Sequence, residues 1–185
     1  MQIVSYNNPE EKSGSDFKQF FNNELRKILW SEMRMQELTP FLIKQSLSED
    51  LVKELSLFFL RMEKEIIELE EVFSLLELRM EEMECDITKG FFDAAMLTSC
   101  TTRGKVRDAA IVLIIQKVIS FQVVSLRTIS MYLRRMKMPD AAQIVEGILA
   151  EKKKSDKALY NLSAYINYAS MSPQIYKQEI LEAEY

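Results

Sequence analysis

With 185 residues, 48% of them apolar and 28% charged, the chain has material for one well-buried domain and is short for two. Four glycines and four prolines leave little for hairpin turns or a phosphate-cradling loop, which favours long helices over sheet. A net charge of −4 argues against nucleic-acid binding, and the lack of histidine removes Ser-His and Cys-His nucleophile pairs along with the commonest metal ligand.

Taken in order, the opening MQIVSYNNPEEKSGSDF has no basic start followed by an apolar run, so no secretory signal is read there. Residues 1–15 are expected to form a flexible arm, with Ser15 or Asp16 capping a first helix. The stripe of that helix runs Phe21, Leu25, Ile28, Glu32 and Met35, so Glu32 falls where an apolar residue belongs. Thr39-Pro40 is expected to kink or restart it, because proline lacks the donor and crowds the preceding turn. A second helix begins near Glu49, with Ser46 and Glu49 at capping-box spacing. Its seam reads Leu51, Leu55, Phe58, Met62, Ile66, Leu69, Phe73 and Leu76, as in a bundle helix packed at a shallow angle. From Glu63 to Asp86 ten acids stand against Lys64 and Arg79, a net of −8 read as a solvated face or a docking surface for a basic partner.

Ile87–Ser99 is a short third helix, followed by CTTRG, where Gly104 is free to take the left-handed conformation. Asp108–Met138 is the spine of the protein, apolar on nearly every side through Val124, and it must be covered by other helices. A membrane span is not read here. Gln116, Lys117, Ser120 and Gln122 interrupt the stretch, whose longest apolar run is seven residues against the roughly 20 a span needs. Pro139 ends it, and a last helix runs from about Asp140 to Tyr168 with the seam Val145, Ile148, Lys152, Ser155, Leu159, Leu162 and Ile166. Lys152 is thus a second charge at an inward position. The chain reads as an all-α, antiparallel four-helix bundle with one additional short helix over 16–169, and a tail over 170–185. Cys85 and Cys100, fifteen apart and without CxxC spacing, suit reduced thiols of a cytoplasmic protein. Eleven methionines fill core gaps or line a partner groove. The basic stretches Arg134–Lys137 and Lys152–Lys154 oppose the acidic second helix in sign, which raises self-association between faces.

Five segments, LWSEMRMQEL, ELEEVF, CDITKGFFDA, RDAAIVLIIQKV and LAEKKKSDKAL, stand in an order and spacing that resemble the YciE/YciF family of ferritin-like, stress-associated bacterial proteins. The resemblance covers roughly residues 18–168. It implies a ferritin-like bundle, a homodimer, and a carboxylate and histidine cluster suited to two metal ions. Carried over residue by residue, Glu32 stands at the first-helix glutamate, and Phe58 and Arg61 at the histidine and glutamate of the second helix. Ile119, Ser120, Phe121 and Gln122 replace a Glu-His-x-Glu, and Glu151-Lys152 replaces a Glu-Glu pair. Two carboxylates remain, Arg61 and Lys152 bring positive charge into the same space, and a di-metal site needs several converging anionic or imidazole ligands. The expectation is therefore a degenerate site holding no metal or cofactor. Arg61 and Lys152 would take the cationic role, bonding Glu32 and Glu151, or else both would snorkel outward. Three functions stay open: a non-enzymatic bundle acting by self-association or through an unknown protein partner, a residual carboxylate-only iron or manganese oxidase, and a carrier of an apolar small molecule in the core.

Overall fold

The computed structural model describes the backbone of residues 9–168 and the side chains of 16–166. Residues 1–8 of the expected arm and the tail from 170 lie outside the described residues. Five helices follow one another: α1 (Pro9–Gln45), α2 (Glu49–Leu75), α3 (Asp86–Thr101), α4 (Gly104–Arg135) and α5 (Pro139–Tyr168).

The first helix differs from the sequence reading at its start. It begins at Pro9, inside the stretch expected to be an arm, where proline fits because the first helical N–H has no partner to lose. It also continues through Pro40 to Gln45. Beside that proline, the Thr39 hydroxyl donates to the Met35 carbonyl at 2.7 Å.

The cap of α2 is Ser48, not the Ser46 of the expected capping box: the Ser48 hydroxyl accepts from the Leu51 N–H at 3.4 Å. Ser46 turns back to the Leu42 carbonyl instead. The buried Asp108 of α4 accepts from the N–H groups of Leu47 and Ser48 at 2.9 and 2.8 Å. One carboxylate thereby satisfies two backbone donors in the joint between α1 and α2.

Both α2 and α4 end in a left-handed residue that is not glycine. Glu77 (φ 54°) and Lys137 (φ 61°) each sit in a Schellman turn, closed by the bonds Leu78 N–H to Phe73 O and Met138 N–H to Leu133 O. Gly104 (φ 61°) takes the conformation its sequence suggested. The acidic run is only half helical. Past Glu77 it is a connector pinned along α1, where Arg26 pairs with Glu81, Arg34 pairs with Glu82, and the Met83 N–H reaches the Arg26 carbonyl.

Helix α1 packs on α2 and α4, and α5 packs on the same two, so α2 and α4 occupy diagonal corners. Both start at the end of the bundle where Asp108 meets Leu47 and Ser48, so they run in the same direction. The long connection between them carries α3, which lies on α4 and α1. This is the antiparallel four-helix bundle with an extra short helix that the seams predict, and its one long crossover gives it the ferritin-like form that the resemblance implies. Among the described residues, α4 is the one helix long and apolar enough to cross a membrane. Here its Ile111, Val112, Ile115, Val118 and Ile119 are buried among the other helices.

Two apolar layers make the core. One gathers Trp30, Leu51, Leu55, Phe58, Phe92 and Ile115. The other gathers Phe21, Leu25, Leu69, Phe73, Leu126 and Val145, with the Tyr132 ring stacked flat on Phe21 at 3.5 Å.

Candidate functional site

Between those layers lies a polar level to which all four long helices contribute. On α2 it falls at Glu65, between Met62 of one layer and Leu69 of the other; on α4 it is Gln122, between Ile119 and Leu126. Helix α1 gives Ser31 and Glu32, and α5 gives Lys152.

Lys152 is the centre. Its side chain is fully withdrawn from solvent, as is Glu32, and Glu65 is 2% exposed. The ammonium lies 2.8 Å from Glu32 and 2.7 Å from Glu65 Oε2, with its donated hydrogen bond directed to Glu32. It also sits 5.3 Å from the centre of the Phe58 ring, whose face favours a cation. Gln122 donates to the Ser31 hydroxyl at 2.9 Å alongside.

Charge bookkeeping explains the chemistry of this level. Two ionised carboxylates and one ammonium would leave one uncompensated negative charge in the interior, which costs several kcal/mol. The group that yields is Glu65. Burial pushes its carboxyl up, Lys152 opposes the rise, Glu32 adds to it, and the balance is about 7. For Lys152, burial pulls the ammonium down, but the two carboxylates outweigh it and the shift is upward.

The sequence-derived candidates divide sharply. Glu32, Phe58, Gln122 and Lys152 meet at this level, and Ile119 is fully buried in the layer beside it. Ser120 is exposed and takes no part. Arg61, expected to bond Glu32 or Glu151, instead donates to Glu54 at 3.0 Å and Ser155 at 3.1 Å on a partly exposed flank. Glu151 faces outward and pairs with Lys154. Glu65 is the functional residue the sequence reading missed, because the adjacent apolar Ile66 took its place in the seam.

The ferritin-like fold implies a di-metal centre, and these residues do not fit one. The donor set is two carboxylates already bridged by an ammonium, with an aromatic ring and an amide beside them. Among the described residues, no three His, Cys, Asp or Glu side chains converge as metal ligands. A pocket of about 240 Å3 opens instead at the end of the bundle, among Phe21, Leu25, Leu76, Ile129, Tyr132 and Leu133.

A four-helix bundle of ferritin-like type, with a buried ion triad across its middle, is the class these observations define. A family profile described as a domain of unknown function, DUF892, matches residues 16–169, and the chain belongs to that family. Among solved structures, the Escherichia coli stress protein YciF is similar at 21% identity over 80% of this chain and 95% of its own, with a TM-score of 0.77. YcfI from Rhodopseudomonas palustris is similar at 23% identity over 77% and 92%, with a TM-score of 0.73. No curated protein matches the chain.

Proposed function

We propose that this protein is a metal-free, non-enzymatic member of its family that acts by self-association or by binding a protein partner. The single observation that carries this reading is the position of Lys152. Its ammonium fills the space between Glu32 and Glu65, where a ferritin-like relative would place a cation, and it needs no exchange with solvent to stay there. A tethered ammonium has no open coordination position and no redox chemistry, so the triad serves as a structural clamp joining α1, α2 and α5. A cytoplasmic location and a stress-related role accompany this proposal. The likeness to the stress protein YciF supports the role, and the free thiols of Cys85 and Cys100 support the location.

Addition of Fe(II) or Mn(II) to the purified protein tests it, since a ligand that binds the folded state and not the unfolded one raises the melting temperature, the more so the further its concentration exceeds its Kd. No shift is expected. A rise of several degrees that vanishes in Glu32→Ala would show that the carboxylates still take metal. Sedimentation velocity over a range of concentrations tests the second half: a chain that stays monomeric throughout and captures no partner contradicts it.

A further inference from the structure

The outward faces of α2 and α4 carry complementary versions of one pattern. On α2, Leu60, Glu63, Ile67, Glu70 and Glu71 are all exposed. On α4, Val124, Arg127, Met131, Arg134 and Arg135 are all exposed, and each stands sixty-four positions after its α2 counterpart. The spacing is therefore identical. Apolar matches apolar, and each acid on one helix matches an arginine on the other.

Leu60 and Ile67 on α2, and Val124 and Met131 on α4, expose 59%, 66%, 63% and 66% of their surface and stand one heptad apart on each helix. Glu63, Glu70, Glu71, Arg127 and Arg135 have no ion-pair partner among the described residues, while Arg134 already holds Glu146. The pattern is bounded. One heptad before Leu60 and Val124, Lys53 and Lys117 would face each other, which limits the match to about three turns.

The two faces cannot meet within one molecule, because α2 and α4 stand at diagonal corners of the bundle. Pairing like faces across a two-fold axis would set acid against acid or arginine against arginine, which is repulsive. Pairing α2 of one copy with α4 of another brings unlike charges together. Equal spacing in the same chain direction calls for parallel helices, and α2 and α4 already run parallel in each molecule. Successive copies are then related by little more than a sideways translation, an operation that does not close on itself.

We infer that copies of this chain stack side by side in open-ended rows, with α2 of one copy against α4 of the next. The inference rests on the self-association reading above and names the faces that would carry it. A contact three turns long is small, so the rows should be concentration-dependent and weakened by salt.

Light scattering on the full-length protein, at rising concentration and low salt, provides the test. Wild type should grow past a mass of two chains, and about 1 M salt should reverse this. The α2 variant Glu63→Lys/Glu70→Lys/Glu71→Lys and the α4 variant Arg127→Glu/Arg135→Glu, each shown folded by circular dichroism, should each lose roughly tenfold or more in association constant. Mixing the two variants re-creates complementary faces and should restore growth. If both variants associate like wild type, or if wild type stops at two chains, the row is wrong while self-association stands. If wild type is monomeric throughout, the row and self-association both fall, and partner binding is what remains of the proposed function.

Discussion

Lys152 Nζ and the Glu32 carboxylate stand 2.8 Å apart across 120 positions of chain, and neither side chain touches solvent. With Glu65 at 2.7 Å from the same ammonium, the middle of the bundle is an ion triad drawn from three helices. Burial of this kind makes each member dependent on the others, and that dependence can be measured.

Lys152→Met leaves two neighbouring carboxylates buried without a counter-charge. Urea denaturation should show a loss of about 3–5 kcal/mol. The triple variant Lys152→Met/Glu32→Leu/Glu65→Leu, which replaces all three charges by apolar groups of similar size, should recover most or all of that loss. A triple variant as unstable as the single one would mean that shape, not charge, sets the cost.

Stability should fall as pH rises through the range of Glu65. Its carboxyl titrates near 7 in the fold against 4.5 in the unfolded chain, so between those values the folded state holds a proton that the unfolded state does not. The loss, on the order of 3 kcal/mol, should begin near pH 4.5 and level off above about 7, with Lys152 charged throughout. Glu65→Gln should flatten this part of the curve and be more stable than wild type at pH 8. A wild-type profile that rises over the same range would place the proton elsewhere.

Asp108→Ala should cost about 1–3 kcal/mol, because the N–H groups of Leu47 and Ser48 lose their acceptor in a half-buried joint. Hydrogen exchange should locate the damage at the start of α2, with the α4–α5 turn unchanged.

Lys137→Gly should stabilise the protein by about 1 kcal/mol, since glycine adopts the left-handed φ of 61° without the penalty a side chain brings. Glu77→Gly, at φ 54°, should behave in the same way. A loss in both would show that the side chains make contacts that outweigh the strain.

The bundle was legible in the sequence because three- and four-residue spacings of apolar residues dictate which side of a helix is buried. Glu32 and Lys152 were legible for the same reason: each interrupts such a series at an inward position. Glu65 was not seen, although its signal was present. Phe58 to Met62 to Ile66 breaks the alternation of four and three that Leu51, Leu55 and Phe58 begin, with two four-residue steps in succession. Keeping strict alternation after Met62 leads to Glu65, then Leu69 and Val72, and those are the buried residues. At this point of α2 apolar character and register point to different residues, and the fold follows the register.

Arg61 failed in the opposite sense. It precedes the buried Met62 by one position, which turns its long stem toward the flank and lets it reach Glu54 and Ser155 rather than the centre. The residues past Glu77 carried no element of their own in the sequence reading. Their place along α1 depends on Arg26 and Arg34, distant partners that no local pattern reveals.

The most direct test of the central claim is the metal content of protein purified from iron- and manganese-supplemented medium, measured by elemental mass spectrometry against protein concentration. With Lys152 between Glu32 and Glu65, far less than one metal ion per chain is expected. One or two ions per chain, lost on Glu32→Ala/Glu65→Ala, would contradict it.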